Sequence, residues 1–538
     1  MTNYVFRIFL ALSSCVLIQF GLRSSVSAQI ERHMVVYGGL RDADIVKIAE
    51  NIDTLVVGKI SRSQLKQLKK VNPDLTILKY VNCLGVYNSY PEWKIVNQHE
   101  DWFAHDRITD RRLTQKNRGW FLMNIANVDW RQFTAERIAK QTDRLFDGIF
   151  IDNFWNRFIR KFVAEGTTQS ALPGEDFIIK WTQNMTALLT QIRAVFPKLI
   201  FINGAHEQYI AYVDGCMEES FIHSSWNPDI KHHDPSRYLR SLKHIQELAK
   251  HGKLILAQSG TRGDDTSKTN DIYRLCFTSY LLVWDKNISF NFHPFKTYSF
   301  KGLYQIDDYR LNLGRPLGNY YIYKQDRPAS NLLLSGNLNN GLMGWGVISG
   351  NPSPDPKNSI SGKSVRFKGS ASRSDEIASG FIPVKGGTDY IISAEIKSEK
   401  NISVSQRYKR FGLQALFYDK NHKQIPGRYN LPINAGTYGW QPFETTLKSP
   451  QIAGYFQIKL GFGTGGFGEV WIDNIYVGVA IKREIILKRD FSNGSVFVNY
   501  GNKNTTVELK KDKGRYGSKY LVIKPREGKI LRHDKSLD

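Results

Sequence analysis

From about residue 34 to residue 300 the chain alternates between two hydrophobic patterns. Short, continuous apolar runs are separated by stretches in which apolar residues recur every three or four positions. The runs are Met34–Gly39, Asp53–Lys59, Leu75–Asn82, Gly148–Asn153, Leu199–Gly204, Cys216–Ser220, Leu254–Ser259 and Ile288–Phe292. Among the helical stretches, Phe177, Trp181, Met185, Leu188, Ile192 and Val195 fall near a 3.6-residue period. Tyr238, Leu242, Ile245 and Leu248 follow a helix-start signal at Asp234-Pro235-Ser236. Eight β/α alternations predict an α/β fold, a (β/α)8 TIM barrel over residues 29–312, rather than an open doubly wound sheet. The lack of a Gly-rich phosphate fingerprint after the first run also disfavours a dinucleotide fold.

The pattern changes after Tyr298. Leu313-Gly314-Arg315-Pro316-Leu317-Gly318 is a turn-rich joint, and Tyr320-Tyr321-Ile322-Tyr323 reads as a strand. Residues 328–480 carry short alternating runs instead: Ser364–Phe367, Asp389–Ile396, Leu413–Tyr418, Phe456–Phe462 and Glu469–Val477. Runs of this length, punctuated by Gly, Asn and Pro, predict a β-sandwich of jelly-roll type. Glu484–Leu487, Ser495–Asn499, Thr505–Leu509 and Tyr520–Ile523 complete an all-β end to the chain.

Candidate chemistry sits in two matched stretches. Asp147-Gly148-Ile149-Phe150-Ile151-Asp152 and Asp214-Gly215-Cys216-Met217-Glu218-Glu219 each place a carboxylate five positions after an Asp-Gly start. A carboxylate at the end of a buried strand is costly unless it is solvated, paired or used, and strand ends are where barrels hold catalytic groups. Two of them suggest acid/base chemistry on a glycosidic bond. The plainer reading of either one alone is that Asp152 caps a turn and Glu219 pairs with an Arg. Other strand ends are polar or aromatic: Tyr80 and Asn82, Asn153, Asn203, Gln258, and Asn291 with His293. These would collect at one mouth. Trp120, Trp130, Trp155 and Trp226 follow in loops, either as sugar-stacking platforms or, for most of them, as core.

Composition narrows the classes. The 538 residues are 41% hydrophobic and 12% aromatic, which is globular and too long for one core. Arg7, the apolar run Ile8 to Leu22 and Val26-Ser27-Ala28 read as a secretory signal over residues 1–28. This implies a secreted, periplasmic or cell-surface protein. Cys15 makes lipoprotein anchoring a lesser option, against which the apolar Val16-Leu17-Ile18 speaks. No later stretch is long enough to span a membrane. Cys83, Cys216 and Cys276 remain, an odd count that argues against a disulfide framework. The net charge of +24 points to anionic partners, an acidic polysaccharide among them, or to a general basic bias spread evenly. No nucleic-acid motif is present.

Three stretches carry a resemblance. Trp120 through Met123-Asn124, Asp129-Trp130-Arg131, Phe146 to Asp152, Asn203-Gly204 and Asp214-Gly215 to Glu219 are similar to the secreted barrel hydrolases grouped as hypothetical glycosyl hydrolase family 15, near the α-galactosidase-like barrels. Residues 328–480 resemble carbohydrate-binding modules of families 4 and 9, through Glu469-Val470-Trp471-Ile472-Asp473-Asn474-Ile475 and Trp345. Arg489-Asp490-Phe491-Ser492-Asn493-Gly494-Ser495-Val496-Phe497-Val498-Asn499 resembles the small β-domain that closes many such barrels. Tyr500-Gly501 stands where that family usually has Pro, a departure expected to touch only a turn. In those relatives the joint leads directly into the closing domain. The resemblance therefore implies a closing domain of residues 313–327 plus 481–538, with the module inserted. Tyr320–Tyr323 and Glu484–Leu487 are then expected in one small sheet, and excising about residues 328–480 is expected to leave the barrel folded and active on small substrates.

The resemblance also implies roles. Asp152, ending the fourth strand, would be the nucleophile, and Glu219, ending the sixth, the acid/base of a retaining glycoside hydrolase acting on a polysaccharide or oligosaccharide. Tyr80, Asn82, Trp120, Asn153, Trp155, Asn203, Trp226, Gln258 and Asn291 would bind substrate. Strand alternation lets only one of Glu218 and Glu219 face the mouth. No cofactor or metal is called for: His232-His233-Asp234 reads as a helix-start loop before it reads as a ligand set. The competing classes are a non-catalytic polysaccharide-binding protein on a hydrolase-like scaffold and, with only charge in its favour, a nucleic-acid binder.

Overall fold

The computed structural model describes residues 30–533 except 224–231, 262–265, 295–304, 327–329, 405–409, 428, 432, 482 and 510–519. The signal reading, Cys15 and Trp226 lie outside the described residues. Eight parallel strands pair in chain order: β1 (His33–Gly39), β2 (Thr54–Lys59), β3 (Thr76–Asn82), β4 (Gly148–Asp152), β5 (Leu199–Asn203), β6 (Gly215–Glu218), β7 (Leu254–Thr261) and β8 (Ile288–Pro294). A parallel bridge from Arg32 to Phe290, with the Phe290 N–H donating to the Glu31 carbonyl at 3.0 Å, brings the last strand back to the first. The result is a nearly closed barrel. All eight expected runs are strands. The sixth ends two residues early, at Glu218, so Glu219 stands in the turn that follows it.

The alternation explains the continuous apolar runs. Val35, Val56, Leu78, Phe150, Phe201, Met217 and Leu256 fill the barrel interior. Ile149, Ile151, Ile200, Ile202, Ile255 and Ala257 face outward into one core with the surrounding helices. Strands buried on both faces need no polar alternation until they leave the barrel. The helix Trp181–Val195 buries Trp181, Met185, Leu188 and Ile192, as its period predicts, and Leu189 with them, while Val195 at its end is exposed. Helix Pro235–Lys250 opens with Pro at its start, and the Asp234 carboxylate accepts the Arg237 N–H at 2.8 Å.

The two Asp-Gly starts are one device used twice at the opposite end of the barrel. Asp147 accepts the Ile77 N–H of β3 at 2.7 Å and the Lys69 ammonium at 2.8 Å. Asp214 accepts the Ile200 N–H of β5 at 2.8 Å and the Arg193 guanidinium at 2.5 Å. Each carboxylate thus stitches its strand to the preceding one. Both glycines are required by close approach: a Cβ at Gly148 would stand 2.3 Å from the Leu199 carbonyl oxygen, and one at Gly215 would stand 2.5 Å from that of Leu254. Gly148→Ala is therefore expected to destabilise the barrel by about 1–3 kcal/mol, the usual cost of overpacking. Chemical denaturation of the two proteins side by side checks it.

Beyond the barrel, β9 (Tyr321–Gln325) pairs antiparallel with β10 (Ile485–Phe491), setting Tyr321 opposite Lys488 and Gln325 opposite Ile485. With β11 (Gly494–Asn499) and β12 (Glu527–Arg532) they form a four-stranded sheet in the order β9-β10-β11-β12. The Arg489 guanidinium fixes this sheet to the barrel by donating to the carbonyls of Gly318 (2.9 Å), Leu281 (3.2 Å), Leu282 (3.0 Å) and Trp284 (2.9 Å). Tyr500 corrects the expectation that its departure from Pro touches only a turn. Its fully buried ring stacks on Tyr238 with centroids 3.6 Å apart, and its hydroxyl donates to the His233 carbonyl at 3.0 Å.

Residues between β9 and β10 form two facing antiparallel sheets around a core of their own. The quoted signature is structural. Glu469 holds Arg366 at 2.7 Å, the Trp471 indole donates to Asp355 at 2.8 Å, and Asp473 accepts the Ile360 N–H at 2.9 Å. Trp345 is buried, its indole donating to the Ser335 carbonyl at 3.3 Å. The sandwich also grips the barrel. Ile402 and Val404 belong to the barrel's outer core beside Phe158 and Phe162. Arg160 donates to the Ser403 carbonyl at 3.0 Å, Arg107 donates to the Val404 carbonyl at 3.3 Å, and Arg240 lies 4.3 Å over the Phe443 ring. Excision would uncover this core and release the loop after β4. Turnover on small substrates is accordingly expected to fall together with polymer binding, which melting and turnover of the excised chain would test.

Candidate active site

Strand alternation assembles the mouth. Two residues after each inward apolar residue comes an inward polar one: Tyr37 after Val35, Tyr80 after Leu78, Asp152 after Phe150, Asn203 after Phe201, Glu219 after Met217 and Gln258 after Leu256. Asn203 is the bridge. Its amide nitrogen donates to Asp152 Oδ1 at 2.7 Å and to Glu219 Oε2 at 3.2 Å. Tyr80 donates to the other Asp152 oxygen at 2.5 Å, and Tyr37 donates to Glu219 Oε1 at 3.4 Å. The two tyrosine rings meet edge to face with centroids 5.3 Å apart, so each braces the other. Asn153 follows β4 in the left-handed region at φ 59°, which Asn tolerates, and its amide donates to Asp152 at 3.2 Å.

Burial, then the Asp152 charge and hydrogen bond, push the Tyr80 hydroxyl far above its ordinary range, so it remains a donor. Burial draws the Lys161 ammonium below its usual value, against the opposing pull of Asp152 and Glu219. Glu218 occupies the opposite face of the chain from Glu219. Burial raises its carboxyl, and His244 and Arg237 of the outer layer oppose that shift.

The remaining expected residues divide. Trp155 is half-buried, stacks on Trp181 with centroids 6.3 Å apart, and carries the Lys161 ammonium 4.1 Å above its ring. Gln258 and Asn291 are register partners on β7 and β8, each about 4% exposed, lining the closed side of the mouth. Asn82 accepts the Leu84 N–H at 3.1 Å and turns the chain. Trp120 corrects its expected place as a platform: it is 2% exposed and packs edge-on against Phe162 at 5.5 Å. Trp130 is also core. His233 bonds the Ser220 carbonyl at 3.1 Å, and among the described residues no group of three or more candidate ligands could hold a metal. Tyr37, Lys161 and Arg118 were not anticipated. The alternation of β1 could have found Tyr37. Nothing local marks the other two, which come from the loop after β4 and a turn near Gln115.

Among the described residues no helix is long and apolar enough to cross a membrane, which says nothing of strands. No curated protein matches the chain. Solved structures similar to it include three at low TM-score. One is the enzymatically active domain of bacteriophage CBA120 tailspike protein 4 (12% identity, 28% of this chain and 21% of that one, TM-score 0.23). Another is a Family 16 Carbohydrate Binding Module-2 (18% identity, 27% and 99%, TM-score 0.23). The third is the glycoside hydrolase domain of PelA from Pseudomonas aeruginosa (12% identity, 49% and 95%, TM-score 0.36). This chain thus spans about a fifth of the tailspike domain, and likenesses at these scores carry no part of the argument. The family model does: residues 69–332, which contain Asp152, Asn203 and Glu219, match hypothetical glycosyl hydrolase family 15, and the barrel's resemblance to that family is thereby shown.

Proposed function

We propose that this protein is a secreted, retaining glycoside hydrolase of a polysaccharide, with Asp152 as nucleophile and Glu219 as acid/base. One observation carries the reading: a single Asn203 nitrogen touches both carboxylates. Their nearest oxygens can therefore lie no further apart than the sum of 2.7 and 3.2 Å, about 5.9 Å. That supports the close pairing of retaining enzymes, about 5–5.5 Å, over the about 6.5–9.5 Å that inversion needs to seat a water.

The surroundings suit the two roles. Asp152 accepts from Tyr80, Asn153 and Asn203, which hold it aimed, as a nucleophile requires. Glu219 accepts from Tyr37 at 3.4 Å and from the shared Asn203 amide at 3.2 Å. Placed across that amide from the nucleophile, it would carry a proton to the leaving oxygen and take one from water in the second step. Tyr80, kept protonated, would serve as a donor toward the sugar or the attacking carboxylate. The sandwich domain would add affinity for polymer through effective concentration. Determining the anomeric form of the first-released sugar by NMR tests the stereochemistry: retention supports the assignment, and inversion would require the carboxylates to act through an intervening water.

A further inference from the structure

We propose that Lys161 and Arg118 form an anion-binding subsite beside Asp152, so that the sugar cleaved carries a negatively charged substituent, a carboxylate or a sulfate. The inference rests on the hydrolase reading and narrows its substrate class. The Lys116 N–H donates to the Lys161 carbonyl at 3.0 Å, which sets the turn carrying Arg118 beside Lys161, and Trp155 under the Lys161 ammonium lies three residues past Asp152. The charges of Asp152 and Glu219 act on Lys161, and that of Arg118 on both Lys161 and Tyr80. Among the described residues neither makes an ion pair or a side-chain hydrogen bond. The Lys161 ammonium lies 4.1 Å over the Trp155 ring, a contact that holds its stem while leaving its three N–H donors unused. Arg118 is exposed on its turn.

Charge counting points to the ligand. A retaining enzyme enters its first step with the nucleophile ionised and the acid protonated. Asp152 then supplies one negative charge against the two positive charges of Lys161 and Arg118. One anionic group on the bound sugar balances that excess of positive charge. A neutral sugar would leave a desolvated ammonium without a partner, which is costly. Trp155 would offer its remaining surface to the pyranose while Lys161 takes the charge.

The test uses the full chain and short oligosaccharides in three sets: uronate-bearing, sulfate-bearing, and the carboxyl-reduced neutral partners of the first. Reducing-end release is measured for wild type, Lys161→Met and Lys161→Arg. Wild type is expected to favour one anionic set. Lys161→Met should lose about tenfold or more in kcat/KM on that set, since hydrogen bonds to charged groups are worth this much. On the neutral partners it should lose nothing and gain instead, because the unpaired ammonium is gone, and Lys161→Arg should restore the preference. The favoured set tells carboxylate from sulfate. A preference for neutral oligosaccharides, or an equal loss on charged and neutral ones in Lys161→Met, would overturn the subsite while leaving the hydrolase standing. Cleavage of no oligosaccharide by wild type would overturn the hydrolase reading and the subsite with it.

Discussion

Asp152→Asn and Glu219→Gln should each remove glycosidic cleavage almost completely while leaving the melting temperature within a few degrees of wild type. General acid catalysis alone contributes about 10²–10⁴-fold, so loss of the acid should cost at least that on substrates with poor leaving groups. The loss should shrink on aryl glycosides whose leaving group needs no proton. Asp152→Asn should not show that relief, because the missing group is the attacking one. Neither change removes a buried hydrophobic contact, and Asn203 keeps an oxygen to donate to in both variants. Glu218→Gln serves as the control. Its carboxyl belongs to the outer layer with His244 and Arg237, so turnover should survive its loss. Loss of activity in Glu218→Gln alone would move the acid by one residue and break the assignment.

Arg489→Met is expected to be the most destabilising single change outside the barrel. The side chain is 5% exposed and donates to four carbonyls, three of them at the end of one barrel helix. Met fills similar volume and supplies no donor. Buried carbonyls left without partners cost about 1–3 kcal/mol each, so a loss of roughly 3 kcal/mol or more is expected even if water reaches some of them. Burial already lowers the guanidinium to about 10, yet at neutral pH it remains charged, and no pH dependence should accompany the loss there. Differential scanning calorimetry would show a lower transition. An unchanged melting profile would mean that the closing sheet is held by its apolar face and the Tyr238–Tyr500 stack instead.

Much of the barrel was legible because its signal is local. A strand buried on both faces must be apolar throughout, and eight such runs left little choice of architecture. The pairing of β9 with β10 joins positions far apart in sequence, and it was expected only because the resemblance made the module an insertion between two strand-like ends. The site was legible as far as it sits on strands. Asp152, Asn203, Tyr80 and Glu219 all fall two residues past an inward apolar residue. Loop residues obeyed no such rule. Trp120 and Trp155 look alike in sequence, yet one is core and the other half-buried beside Lys161, a difference set by what packs above each loop. The Asp-Gly repeat was a true signal read partly amiss. Its Asp and Gly serve strand stitching and close approach at the far rim, while the carboxylate five residues on reaches the mouth because both strands have nearly the same length.

The measurement that tests the central claim most directly is release of new reducing ends from a panel of acidic and neutral polysaccharides by the full chain. It should be run alongside Asp152→Asn and alongside binding of each protein to the same polymers. The expected result is that at least one polysaccharide yields reducing ends at a rate proportional to protein, that Asp152→Asn yields none, and that both proteins bind that polymer. Equal binding by both proteins with no reducing ends from either, across acidic and neutral pH, would contradict it. The barrel would then be a scaffold that holds polysaccharide without cutting it.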